Sequence, residues 1–213
     1  MSAKRRGWWL LLGAGLAVWL LMIGTGLAML WAYAETPGAP AAAHATWPAG
    51  ATFTRDARGP TLVLFLHPQC PCSRATIAEL ARLLAGTKDS VTTYALFYRP
   101  ADAAAGWERT DLWDAAAAIP GVRVMSDERG AQARVFGALV SGETMLYGDT
   151  GSLLFSGGIT GARGHEGDNP SRTALTSMLA GHRTDTIRTP VFGCYLHAEA
   201  DLVAKSSPRA ERP

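Results

Sequence analysis

The stretch TLVLFLHPQCPCSR, residues 61–74, carries a strand, a turn with two sulfurs and the start of a helix. Thr61 to Leu66 is a short, unbroken apolar run of the kind expected for a strand buried on both faces. Ser73 to Ala85 follows with Ile77, Leu80, Ala81 and Leu84 at helical spacing. Between them lies Cys70-Pro71-Cys72. A sulfur at that junction feels the positive end of the helix dipole and meets unpaired backbone N–H groups, and both favour thiolate over thiol. Pro71 suits the first helical position, where its missing N–H costs nothing. Cys70, at the end of the loop, is the expected nucleophile, and Cys72 falls in the first helical turn. A disulfide between the two would close a small, strained and therefore oxidising ring.

Outward from this stretch, strands and helices alternate. Val91 to Tyr98 reads as a strand from its β-branched and aromatic content, Asp111 to Ile119 as a helix ended by Pro120, and Val122 to Met125 as a further strand. Ala131 to Leu139 reads as a helix, and Glu143 to Tyr147 as a strand facing Ser152 to Phe155 across the turn Asp149-Thr150-Gly151. Asn169-Pro170 is an N-cap followed by proline at the first position of a helix through Ala180, with Gly181 placed to close it. This order implies an α/β domain with a central sheet flanked by helices. The last residues, 204–213, are polar and proline-punctuated, and the expectation for them is disorder.

The N-terminal part has a different composition. Gly7 to Ala34 carries no charged side chain, which exceeds the about 20 residues that cross a bilayer. Trp8 and Trp9 at one end and Trp31 and Tyr33 at the other suit the headgroup regions, and Lys4-Arg5-Arg6 marks residues 1–6 as cytoplasmic. The expected arrangement is a single-pass anchor in the inner membrane over residues 7–34, in contact with the lipid bilayer, with the rest of the chain in the periplasm or outside. Ala32-Tyr33-Ala34 has the small-x-small form of a cleavage site, but the apolar run exceeds the roughly 7 to 15 residues of a signal peptide. Residues 35–52, rich in Ala, Pro and Gly, read as a tether in which His44 and Trp47 are incidental. From residue 53 onward the chain has seventeen basic and seventeen acidic side chains, so it lacks the basic face that nucleic-acid binding needs. With 48% hydrophobic and 18% charged residues, the whole is not a disordered chain.

The run Phe65-Leu66-His67-Pro68-Gln69-Cys70 before a cysteine-bearing helix, with Asp127, Gly130, Val135-Phe136-Gly137 and the hairpin MLYGDTGSLLFSGG further on, resembles the thioredoxin fold over about residues 55 to 181. Membrane-anchored bacterial thioredoxin-like proteins, including a small RedB-like group, are the nearest in pattern. The resemblance implies a thioredoxin-like domain over 53–181 and thiol–disulfide oxidoreductase activity without a cofactor. The implied partners are a protein thiol or disulfide client and a membrane or periplasmic redox partner. Carried over by position, Cys70 is the nucleophile, while the resolving cysteine of the family falls on Ser73 and its cis-proline at about Gly142, in Val140-Ser141-Gly142-Glu143. Pro71, Ser141 and Gly142 are then candidates for the substrate groove. The loop Gly158 to Asn169 comes near the cysteine end of the sheet, making His165 and Glu166 candidates for proton transfer or substrate contact. His67, three residues before Cys70, is a candidate partner of the thiolate, and Arg74 a more distant one.

A third cysteine, Cys194, sits in TPVFGCYLH within a C-terminal extension, residues 182–203. Either Cys72 or Cys194 can take the resolving role that Ser73 cannot. Two other classes compete. Cys70, Cys72, Cys194 and His197, with His67 to spare, would suffice for zinc or a soft ion such as copper(I). A non-catalytic binding module is the second. Peroxiredoxin chemistry ranks lower, because His67 stands where that family has threonine, and three cysteines are one short of the usual iron–sulfur set.

Overall fold

The computed structural model describes residues 3–87, 91–182 and 187–196. Two compact units divide at Thr36/Pro37. The first is α1 (Ala3–Glu35), in which Gly7–Glu35 is long and apolar enough to cross a membrane, with mean hydropathy 2.1 and no buried residue. Its apolar residues surround the axis, as expected of a helix whose solvent is lipid.

The second unit contains β1 (Thr61–Leu66), α2 (Pro71–Ala85), β2 (Thr92–Arg99), α3 (Asp111–Ala117), β3 (Val122–Glu128), α4 (Ala131–Phe136), β4 (Glu143–Tyr147), β5 (Leu153–Gly157), α5 (Pro170–Leu179) and β6 (Ile187–Arg188). The sheet order is β3-β2-β1-β4-β5-β6. β1, β2 and β3 run parallel, β4 is antiparallel to β1 and to β5, and β6 joins β5 in parallel. This mixed sheet, with the cysteines at the end of a central parallel strand, is the thioredoxin-like architecture.

The period of two along β1 builds both cores. Leu62, Leu64 and Leu66 pack with Ile77, Leu80 and Leu83 of α2, Phe97 of β2, Leu112 of α3 and Leu175 of α5. Val63 and Phe65 point the other way, into Phe136 of α4, Tyr94, Met145, Tyr147 and Phe53. Every residue of β1 is buried, so the strand reads as a continuous apolar run rather than an alternation.

The sheet edges and helix ends differ from expectation at several places. α2 begins at Pro71, the first helical position that the proline indicates, with Cys70 in the extended N-cap conformation (φ −103°, ψ 124°). α4 stops at Phe136 instead of Leu139, because Gly137 turns left-handed (φ 76°). β3 continues to Glu128, where Asp127 turns inward and its carboxylate accepts from Gln132 N (2.7 Å) and Ala133 N (2.9 Å), capping α4. Asn169 caps α5 as expected, its Oδ1 accepting from Arg172 N at 2.8 Å.

From Pro37 onward, the stretch expected to be a tether lies along the domain. Ala42 N donates to Gly137 O (3.0 Å), Trp47 N to Gly151 O (2.7 Å), and Leu153 N to Ala45 O (2.8 Å). Trp47 inserts edge-on between Phe53, Phe136 and Tyr147, with ring centroids 5.2–5.5 Å away. The physical reason is that small residues let two backbones touch: a Cβ on Gly137 would come within 2.3 Å of Ala42 O. One bulky ring then anchors the segment. The reading of Trp47 as incidental is corrected by this contact.

Candidate active site

Cys70 ends the turn after β1, and its own carbonyl accepts from Ser73 N (3.0 Å), opening α2. Cys70 is nearly enclosed, at 3% exposure, and four donors favour its charged form: the Cys72 thiol, the Ser73 N–H, the Cys194 thiol and the Ser141 hydroxyl. The Cys72 hydrogen bond has the largest effect, outweighing the opposing cost of burial, and together these donors hold Cys70 at about 4. Cys70 is therefore the thiolate and the other two sulfurs are protonated donors. Cys72 is pushed up, first by its hydrogen bond to Cys70 and then by burial. Cys194 rises to about 11, chiefly through partial desolvation and its bond to Cys70.

The Cys70 and Cys194 sulfurs lie 3.3 Å apart across 124 residues of sequence. The exposed Cys194 arrives on an extended segment after β6 that pairs with the loop before β4. Val140 and Tyr195 form an antiparallel bridge, Ser141 N donates to Cys194 O (2.8 Å), and Leu196 N donates to Leu139 O (2.9 Å).

Ser73, which occupies the position of a conventional resolving cysteine, is fully buried and structural. Its Oγ accepts from His67 N (3.0 Å) and lies 2.7 Å from Ser141 Oγ. The arrangement that satisfies every group runs His67 N–H to Ser73 Oγ, Ser73 O–H to Ser141 Oγ, and Ser141 O–H to the Cys70 thiolate. Chains of this kind strengthen each member. Gly142 takes φ 92° and donates its N–H to Phe65 O (2.7 Å). Proline can neither adopt that φ nor donate that bond, so this backbone excludes a proline at the position.

The remaining sequence candidates fall into different places. Pro71 opens α2 and borders a shallow cavity of about 230 Å³ with Pro68, Gln69, Cys70, Arg74 and Thr110. His67 acts through its backbone: its ring rests against Tyr98 and Trp107 (centroids 5.8 Å), its Nδ1 accepts from Gln69 N, and burial keeps it neutral by lowering its pKa despite the opposing Cys70 charge. Arg74 is turned to Asp111 (2.5 Å) on the surface. The loop 158–169 does reach the site: the Gly164 N–H favours the charged form of Cys72, the Arg163 charge favours that of Cys194, and the Arg163 guanidinium donates to Gly193 O. Glu166 is instead paired with Arg82 (2.9 Å), and the exposed His165 ring lies beside Gly161 and Gly167. Among the described residues no cluster of three or more His, Cys, Asp or Glu is arranged to hold a metal ion, and His197 lies outside them.

Sequence reasoning missed Arg163 and Glu79. Glu79 is a wholly buried carboxylate of α2 that meets Arg172 Nε (2.6 Å), Arg82 and Gly167 N (2.7 Å), tying the 158–169 loop to α2 and α5. A charged residue on the apolar face of an otherwise amphipathic helix was the available signal.

No protein-family model and no curated protein matches the chain. Solved structures do. A hypothetical protein from Sinorhizobium meliloti aligns with TM-score 0.51 and 22% identity over 76% of this chain and 93% of that one. An uncharacterised conserved protein from Geobacillus kaustophilus aligns with TM-score 0.53 and 16% identity over 77% and 93%. A secreted Mycobacterium tuberculosis disulfide oxidoreductase, described as homologous to Escherichia coli DsbE, aligns with TM-score 0.44 and 16% identity over 64% and 93%. The chain has a thioredoxin-like fold with one N-terminal apolar helix.

Proposed function

We propose that this chain is a membrane-anchored periplasmic thiol–disulfide oxidoreductase of the thioredoxin-like superfamily, similar to the RedB-like group. The observation that carries the reading is the Cys70 thiolate with a second thiol, Cys194, 3.3 Å from its sulfur. Cys70 attacks a client disulfide, forming a Cys70–client bond while the departing client sulfur leaves with the electron pair and takes a proton. Cys194 then loses its proton and attacks Cys70, releasing the second client thiol and leaving a Cys70–Cys194 disulfide. The client is reduced by two electrons and the pair oxidised by two. Each step is reversible, and a membrane or periplasmic dithiol returns the pair to its starting state. Cys72 serves as a donor to the thiolate and is the alternative resolving group. Residues 1–6, 7–34, 53–181 and 182–203 take the roles of cytoplasmic end, anchor, catalytic domain and extension bearing the partner sulfur.

The test is thiol trapping with intact-mass and peptide mapping on the full chain in detergent, across a graded redox buffer with metal chelated. A reversible Cys70–Cys194 disulfide is the expected product. Three thiols that remain reduced and unreactive throughout would overturn the assignment. Protease protection in spheroplasts checks the location: cleavage of the domain from outside is expected, and full protection refutes it.

A further inference from the structure

The segment that brings Cys194 to Cys70 does more than supply a thiol. It is extended, it pairs antiparallel with Leu139–Ser141 through Ser141 N to Cys194 O and Leu196 N to Leu139 O, and it aims a cysteine sulfur at the nucleophile. Cys70 is 3% exposed with this segment in place, so a client cysteine that takes the segment's path meets the nucleophile as Cys194 does. Main-chain pairing supplies the docking and side-chain sites supply the selectivity, as in other strand-addition complexes.

Two positions of the segment are sterically defined. Before the cysteine, a Cβ at residue 193 would stand 1.8 Å from Ser141 O and 3.0 Å from Val140 Cγ1, so only glycine fits. The obstacle is backbone and cannot be moved aside by a rotamer change. Two positions after the cysteine, Leu196 is 3% exposed and joins the cluster of Phe65, Phe136 and Met145. Between them, Tyr195 is 46% exposed and leaves its position open to many residues.

Resting on the oxidoreductase reading above, we propose that Gly193–Leu196 is a built-in occupant of the client groove, and that clients are extended segments of the form Gly-Cys-x-apolar that enter by displacing it. In that complex the Cys70 thiolate attacks the client cysteine, and the client's disulfide breaks with its electron pair leaving on the distal sulfur. Tethering gives the internal segment a high local concentration, so it competes against any external peptide until released.

The full chain carrying Cys194→Ser, in detergent micelles, is reacted with short peptides whose single cysteine is disulfide-linked to glutathione, and the Cys70–peptide adduct, together with any Cys70–Cys72 disulfide that follows it, is read by intact mass. A peptide containing Gly-Cys-Tyr-Leu is expected to react about tenfold faster than the same peptide with Ala-Cys-Tyr-Leu or with Gly-Cys-Tyr-Ser, a difference of about 1.4 kcal/mol. Adding Gly193→Ala to the chain, which expels the internal segment, is expected to raise the rate with the Gly-Cys-Tyr-Leu peptide several-fold. Equal rates for the three peptides, or an unchanged rate in the Gly193→Ala chain, would overturn this proposal while leaving the oxidoreductase standing. The absence of both an adduct and a Cys70–Cys72 disulfide after reaction with any peptide or with glutathione disulfide, in either chain, would overturn the oxidoreductase itself.

Discussion

Replacing Cys72 by alanine isolates the largest influence on the nucleophile. The Cys72 thiol is the foremost of four donors to Cys70, with Ser73 N–H, Cys194 and Ser141 supplying the others against an opposing cost of burial. A hydrogen bond to a charged acceptor contributes about 1.5–3 kcal/mol. One pH unit corresponds to about 1.36 kcal/mol, so its loss moves the Cys70 midpoint upward by about 1–2 pH units. The wild-type midpoint of about 4 would become roughly 5–6. Thiolate ultraviolet absorbance against pH reads this directly, and the pH dependence of alkylation at Cys70 gives an independent midpoint. An unchanged midpoint in the Cys72→Ala chain, or a wild-type midpoint near the ordinary value of about 8.5, would refute the reasoning. The same shift sets a stability slope for the reduced protein. Because the folded state releases the proton first, stability rises with pH from about 4 to about 8.5, is fully gained above that range, and is lost as pH falls back through 4.

Glu143 gives a slope of opposite sign. Burial raises its carboxyl to about 7, against the opposing effects of the Ser156 hydrogen bond and Arg188, so its contribution is complete below about 4.3 and is lost as pH rises through 7. Glu143→Gln, with the cysteines held in one redox state, is expected to gain about 1–3 kcal/mol over wild type at pH above 7 and nothing at low pH, read by thermal unfolding across pH; an equal effect at both ends would sink the assignment. Trp47→Ala should cost about 2–4 kcal/mol in denaturant unfolding, whereas a free tether predicts no change. Glu79→Ala leaves Arg172 without its buried partner and should cost about 3–5 kcal/mol, with faster alkylation of Cys72 as the loop bearing Gly164 loosens; a loss of stability without that change in alkylation would separate Glu79 from the site.

What could be read from the sequence follows from how local each feature is. β1, the Cys70-Pro71-Cys72 turn and α2 are contiguous, so apolar run, proline and helical spacing sufficed. β4 was equally plain, because Glu143–Tyr147 is bounded by glycines on both sides. Even the loop 158–169 was placed at the correct end of the sheet, yet His165 and Glu166 stood out for their chemistry while Arg163 and Gly164 make the contacts. Backbone donors and salt-bridge preferences do not show in residue type. Trp47 was misread because composition described its neighbours and not the notch between Phe53, Phe136 and Tyr147 that receives it. Cys194 could be suspected only by counting cysteines, since its approach to Cys70 depends on where the sheet ends and on the fit of Gly193 against Ser141.

The separation of Cys70 and Cys194 along the chain also determines what a single cut can do. A bond between these two sulfurs would make one covalent ring that includes α2 through β6, leaving only β1 and the N-terminal residues as one branch and the end of the chain as the other. A protease nick anywhere inside that ring would leave the two pieces joined, and adding a reductant would let them part. Migration of nicked protein on a gel with and without reductant would therefore report the oxidation state of the pair, and separation under both conditions would show that the ring never closed.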